Sequence, residues 1–159
     1  MNLYFATIDT SIGVLSVVVN GAGALTHVRF GAALPEGAER DAGRCADAVA
    51  QLREYFAGER TEFDLPLAPV GSEFQRRVWD ELRRVGYGTT TDYGSLGARI
   101  GRPGAARAVG RANALNPIPI VIPCHRVIGA GGSLTGYAGG LEAKRLLLDL
   151  EARAAAMAA

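Results

Sequence analysis

The chain has two cysteines and two histidines in 159 residues, and one of each is adjacent: Cys124 and His125. The pair admits two readings. An unpaired cysteine is among the most buried of residues and often only packs. Alternatively the imidazole removes the thiol proton, because the thiolate is the nucleophile and a free cysteine with a pKa of about 8.5 is mostly protonated at neutral pH. Adjacent side chains diverge in helix and strand alike, so proton transfer within the pair demands a turn or an intervening water. It also calls for an orienting carboxylate. Glu151 is the candidate, four residues after Leu147 at the edge of an apolar stripe, where a half-buried carboxylate needs a partner; a solvated Glu near a helix end is the alternative. His27 and Cys45 add no zinc-binding spacing, and two cysteines make no disulfide framework.

The elements that must position these groups surround them in the sequence. Residues 116–124, NPIPIVIPC, are apolar but carry Pro117, Pro119 and Pro123, which excludes a helix or a central strand and predicts a rigid, extended, buried strap leading to Cys124. Beyond Val127-Ile128 comes GAGGSLTGYAGG, residues 129–140. It lacks the Gly-Lys-Ser/Thr end of a phosphate-binding loop and reads as a tight loop giving backbone access near Cys124. Its Tyr137 either walls a pocket for a planar base or belongs to the core.

Upstream, Ser72-Glu73-Phe74-Gln75 is a capping box, and Phe74, Val78, Trp79, Leu82 and Val85 supply the apolar face of the helix it starts. After Gly86-Tyr87-Gly88, two short helical segments, 91–100 and 105–113, flank Gly101-Arg102-Pro103-Gly104. That is helix-turn-helix spacing. The second segment, AARAVGRAN, is built of small residues, with Arg107 and Arg111 four apart on one face. It suits close approach to a nucleic-acid groove, or simply close helix packing with two solvated arginines.

From Leu3 to Phe30, β-rich runs alternate with turn residues, Asn20-Gly21 among them, which predicts a small antiparallel sheet. Residues 41–57 show helical spacing of Val49, Leu52, Tyr55 and Phe56, ended by Gly58. Pro66 and Pro69 mark an extended connection and a domain boundary near residue 70. Residues 1–69 carry five Arg against nine Asp or Glu, net −4; residues 70–159 carry twelve basic against seven acidic, net +5. The second half is the better polyanion binder, although the Arg-rich, Ala-rich composition also fits a biased gene. No stretch approaches the roughly 18 apolar residues of a membrane helix, and no signal peptide is recognisable. A cytoplasmic α+β protein is expected, with a small sheet-plus-helix first domain and a mostly helical second one.

Residues 116–151, NPIPIVIPCHRVIGAGGSLTGYAGGLEAKRLLLDLE, resemble the O6-alkylguanine-DNA alkyltransferases. The PCHR core is the most specific part. FQRRVWDELRRVGYGTTTDYGSLGARIG and AARAVGRANALNP extend the resemblance over nearly all of residues 72–151, and YFAGER and FDLPL in the first half are similar to the family's N-terminal domain. The resemblance implies a ribonuclease H-like domain over 1–69 and a DNA-binding, alkyl-acceptor domain over 70–159. It implies direct-reversal repair: one irreversible transfer of an alkyl group from O6 of guanine, with O4 of thymine as the alternative donor, in double-stranded DNA to Cys124, by a monomer that binds alone or cooperatively.

Residue by residue, the resemblance makes Cys124 the acceptor, His125 the water-bridged base and Glu151 the end of the relay, with Asn116 bracing the strap. Tyr93 pushes on the target phosphate and donates towards N3 of the base, while Arg107 fills the vacated stack and Arg111 and Asn113 lie at the DNA side of the same helix. Backbone carbonyls at Cys124 and Val127 read the guanine amino group, Tyr137 flanks the base, and the Ala138 backbone N–H meets O6. No cofactor or metal is implied, because the lesion is its own alkyl donor. Two features depart from some relatives: Ala138 stands where they have serine, and the first half lacks the ligands of their zinc site. The rivals are a lesion-binding relative without transfer, which lacks the cysteine, and a Cys-His hydrolase.

Overall fold

The first thirty residues form three antiparallel strands, β1 (Leu3–Thr10), β2 (Gly13–Asn20) and β3 (Leu25–Phe30). They belong to the computed structural model of the chain, which describes residues 2–158. Leu15 to Val19 are all buried, so both faces of β2 are covered, and both its edges are paired in the order β3-β2-β1-β4. Asn20 ends β2 by accepting the backbone N–H groups of Ala22 and Ala24 on its side chain at 3.0 Å each. The sheet is not purely antiparallel: the two-residue β4 (Glu39–Arg40) joins β1 in parallel, a pairing too short to leave a pattern in sequence.

Helix α1 (Ala46–Phe56) packs on β1, burying Ala48, Leu52 and Tyr55 at helical spacing. Burial of a side chain such as Leu52 contributes about 1.5–3 kcal/mol. The helix begins five residues later than its spacing predicts. Asp41 accepts the N–H of Arg44 at 3.1 Å and closes a turn ahead of the first helical residue. Nor is the proline-bearing connection free: Leu25 N–H donates to the Pro66 carbonyl and Ala68 N–H to the Leu25 carbonyl, each at 2.8 Å. The chain divides into two compact units between Val70 and Gly71.

In the second unit, α2 (Glu73–Leu82) starts at the full capping box, Gln75 N–H to Ser72 Oγ at 3.1 Å and Ser72 N–H to Gln75 Oε1 at 2.8 Å. Buried Trp79 ties α2 to α4 (Ala106–Ala114) by donating Nε1–H to the Ala112 carbonyl at 2.9 Å. Segment 91–100 is not one helix. Thr91–Asp92 is a strand, β5, and α3 (Tyr93–Arg99) begins after it because the Asp92 carboxylate caps Ser95 N–H at 2.7 Å. α3 and α4 pack closely at Gly97, where an added Cβ would lie 3.0 Å from the Arg102 carbonyl and 3.5 Å from Val109. β5 pairs in parallel with β6 (Val127–Ile128), and the long α5 (Leu141–Ala158) ends the unit.

The strap is buried from Ile118 to Pro123, yet it is not extended. It doubles back, with Ile122 N–H on the Ile118 carbonyl at 2.9 Å and a bridge between Pro119 and Ile122. Ile120 sits at φ 75°, the one positive-φ residue other than glycine among the described residues. For a β-branched side chain this conformation costs on the order of 1–3 kcal/mol.

Candidate active site

Cys124 opens a single 3-10 turn, Cys124–Arg126, between the strap and β6. The turn is closed by Arg126 N–H on the Pro123 carbonyl at 3.1 Å, and it supplies the bend that an adjacent Cys-His pair needs. Its three side chains are buried. Pairing of Thr91 with Val127 and of Asp92 with Ile128 then brings the start of α3 alongside, so that Tyr93 enters the same neighbourhood.

His125 is wholly buried and stands with Nε2 2.6 Å from Glu151 Oε2. A carboxylate only accepts, so Nε2 carries the hydrogen and Nδ1 presents its lone pair; Nδ1 is buried with no hydrogen-bond partner among the described residues. Glu151 is 1% exposed and, besides His125, accepts three N–H groups, two from Arg126 and one from Gly88. Arg126 binds both its oxygens, Nε to Oε1 at 2.8 Å and Nη2 to Oε2 at 2.9 Å, and Gly88 N–H lies 3.4 Å from Oε1. Arg126 also donates Nη1–H to the Val85 carbonyl at 2.7 Å and lies over the Tyr87 ring.

These contacts set the charge states. Burial works to raise the Glu151 pKa, but the bonds from His125 and Arg126 prevail and hold it down at about 2. Burial lowers the His125 pKa; its bond to Glu151 opposes this without reversing it, so the imidazole is neutral at pH 7. Burial pushes the Cys124 thiol up to about 11, although the Asn116 amide and the Lys144 ammonium favour the thiolate. A thiol in that setting needs a base to take its proton, and neutral His125, held in one tautomer, has the lone pair to do so.

In front of Cys124 lies a pocket of about 350 Å³, within the usual range of small-ligand sites. Tyr93, Asn113, Asn116, Cys124, Tyr137 and Ala138 line it, with Gly110, Ala114, Pro119 and Gly136. Asn116 braces the strap from both sides, donating to the Ile122 carbonyl at 2.8 Å and accepting Ile118 N–H at 2.9 Å. Asn113 reaches the Cys124 carbonyl at 3.4 Å. The Val127 carbonyl accepts Lys144 Nζ at 2.6 Å. Arg107 and Arg111 are not in this pocket. They are exposed on α4 and line a separate groove of about 530 Å³ with Ser72, Phe74 and Gln75.

Three residues of this neighbourhood escape the sequence reading: Arg126, Lys144 and Thr135. For Arg126 the signal stops at Glu151, a carboxylate that needs a partner; nothing local names Arg126 as that partner. Lys144, 0% exposed, had none within a helix of ordinary composition. Among the described residues no group of three or more His, Cys, Asp and Glu is placed to hold a metal ion, and no helix is long and apolar enough to cross a membrane.

Residues 73–153 match the DNA-binding domain of 6-O-methylguanine DNA methyltransferase, and residues 3–69 match that protein's ribonuclease-like domain. A methylated-DNA–protein-cysteine methyltransferase of Mycobacterium bovis is 50% identical over 153 residues, 94% of this chain and 92% of its own length. The crystal structure of the Mycobacterium tuberculosis O6-methylguanine methyltransferase superposes with a TM-score of 0.89 at 49% identity, covering 95% of this chain and 93% of that one. The Mycobacterium tuberculosis OGT in complex with DNA superposes equally, at 0.89 and 48% identity over 97% and 94%. The chain belongs to the 6-O-methylguanine DNA methyltransferase family.

Proposed function

We propose that Cys124 is the acceptor in a single-use repair of O6-alkylguanine in duplex DNA. The chain is a DNA-repair methyltransferase that moves a methyl group from damaged guanine to a cysteine of its own. The observation that carries the assignment to Cys124 is the 2.6 Å contact of His125 with Glu151, next in sequence to a cysteine that lines a pocket. Cys45, the other cysteine, is buried against the sheet of the first unit and bonds the Tyr4 carbonyl.

The transfer balances with these groups alone. His125 Nδ1 takes the thiol proton through one water, and Glu151 stabilises the imidazolium. Cys124 Sγ attacks the alkyl carbon in line with O6, forming S–C as C–O6 breaks, and the electron pair leaves on the guanine oxygen. A hydrogen bond from Tyr93 to N3 and the Ala138 N–H towards O6 ease that charge. The proton held by His125 restores neutral guanine. The thioether has no route back to thiol, so one molecule repairs one lesion. The lesion supplies the alkyl group, and no organic cofactor enters.

Access requires the base to leave the duplex. In this proposal α3 and α4 are a helix-turn-helix, with α4 in the minor groove, where its small residues allow close approach. Arg107 fills the vacated stack and Arg111 lies along the same contact, while buried Asn113 meets the base from the wall of the Cys124 pocket; the carbonyls of Cys124 and Val127 receive the guanine amino group and Tyr137 flanks the ring. Residues 70–159 then form the DNA-binding and acceptor domain, and residues 1–69 support it. The protein acts as a monomer in the cytoplasm.

Purified protein incubated with duplex DNA bearing one O6-methylguanine should gain one CH₂ on the Cys124 peptide, with no second turnover. Cys124→Ala should keep its affinity for the duplex and lose the transfer. Methyl on another residue, or none, would overturn the assignment.

A further inference from the structure

We propose that Thr135 is the positioning residue of Tyr93: its hydroxyl donates to the phenol oxygen and so aims the phenol proton into the Cys124 pocket. The two oxygens are 2.6 Å apart. The inference rests on the proposed role of Tyr93 towards N3 of the extruded base and adds the group that prepares it.

Thr135 is fixed at its carbonyl and at its methyl. Its carbonyl accepts the buried Lys144 ammonium at 3.3 Å, and the same Nζ holds the Val127 carbonyl at 2.6 Å. Its methyl lies against the backbone of Gly129, where an added Cβ would come within 3.0 Å of Thr135 Cγ2. With carbonyl and methyl committed, the hydroxyl is left to meet Tyr93. Tyr93 is held at its other end, since its ring lies across Gly110 of α4, 3.7 Å from where a Cβ would stand. The phenol has little freedom in either ring or oxygen.

The direction of the hydrogen bond then matters. A phenol has one hydrogen and two lone pairs, as a threonine hydroxyl does. If Tyr93 donates to Thr135, its hydrogen is spent. If Thr135 donates, Tyr93 keeps its hydrogen for an acceptor in the pocket, and accepting a bond makes it the stronger donor. N3 of guanine is such an acceptor. Ligand entry selects the second arrangement by rotating two hydroxyl hydrogens, with no heavy atom moved.

The test is a set of single-turnover transfer rates with duplex O6-methylguanine. Thr135→Val removes the hydroxyl at nearly constant shape and should slow transfer about tenfold, the effect of one lost hydrogen bond in the rate-limiting step; Thr135→Ser should restore most of the rate. In a Tyr93→Phe background, Thr135→Val should cost nothing more, because its partner is gone. With O6-methyl-3-deazaguanine, which offers no N3 acceptor, the wild type and Thr135→Val should react alike. Duplex affinity and thermal midpoint report whether Thr135→Val is folded, and Thr135→Ser supplies the reading if it is not. An undiminished rate for Thr135→Val, multiplicative losses in the double variant, or an equal penalty on the 3-deaza lesion would each overturn the proposal. A wild type that places no methyl on Cys124 would instead sink the function proposed above.

Discussion

Arg126 grips both carboxylate oxygens of Glu151, at 2.8 and 2.9 Å, in a site where Glu151 is 1% exposed. The same carboxylate accepts His125 Nε2 at 2.6 Å, so one buried anion serves a neutral imidazole and a permanent cation. Removal of Arg126 leaves the anion uncompensated. Arg126→Met should lower the unfolding free energy by about 3–5 kcal/mol, read as a shift of the urea midpoint at pH 7. Combining it with Glu151→Gln should recover much of that loss, since a buried amide carries no charge. If Arg126→Met costs less than about 1 kcal/mol, the pair is not the anchor of the turn.

The pH dependence of stability follows from the same groups. Glu151 titrates at about 2 when folded, against 4.5 for an ordinary glutamate. Its contribution is complete above about 4.5 and disappears as pH falls towards 2; the displacement corresponds to roughly 3 kcal/mol. His125 is depressed from 6.5. The unfolded chain therefore takes up a proton on this residue that the folded one refuses, and stability declines as pH falls below about 6.5. Both slopes have one sign. Urea midpoints should fall from pH 7 to pH 4, and in Glu151→Gln the part below pH 4.5 should flatten.

Much of this arrangement can be read from local sequence, and the reason is distance. Ser72 and Gln75 are three apart, so the capping box is a property of four residues and appears as written. The prolines of 116–124 exclude helix and central strand by their own chemistry. What they do not determine is the course of the segment: the positive φ of Ile120 reflects its burial at 1% exposure and the Pro119–Ile122 bridge, which only the packed chain defines. Glu151 is recognisable as a carboxylate in want of a partner. Arg126 as that partner is not, because the two meet across 25 residues through a 3-10 turn that no periodicity announces. Thr135 and Lys144 are hidden for the same reason. β4, two residues long, leaves no pattern at all.

Gly97 tests how α3 is set against α4. A Cβ there would lie 3.0 Å from the Arg102 carbonyl, a backbone atom that yields less readily than a side chain, and 3.5 Å from Val109. Helix propensity favours Gly97→Ala by up to about 1 kcal/mol, yet the crowding opposes it. Gly97→Val adds two methyl groups to the same gap and should destabilise by about 1–3 kcal/mol. Gly94, where the nearest atom is Asp92 Oδ1 at 3.5 Å, is the control on the same helix, and Gly94→Ala should be neutral or mildly stabilising. Thermal midpoints of the three variants decide the matter. Equal midpoints for Gly97→Val and the parent chain would mean that the α3–α4 contact is looser than its geometry.

His125 and Arg107 separate chemistry from access. His125 is wholly buried, and its Nδ1, without a hydrogen-bond partner among the described residues, is the base in the proposed transfer. His125→Gln should leave duplex affinity unchanged and slow transfer by about 10²–10⁴, the range of a lost general base. Arg107 is exposed on α4, outside the Cys124 pocket, and touches none of the relay. Arg107→Ala should leave the thiol's labelling profile intact and slow repair of duplex O6-methylguanine by roughly tenfold or more through weaker extrusion of the base. A free O6-alkylguanine base needs no extrusion and should react with Arg107→Ala as with the parent chain, while His125→Gln should fail on both substrates. If Arg107→Ala were slow on the free base as well, its effect would lie in the fold of α4, and the residue that fills the vacated stack would have to be sought elsewhere on that helix.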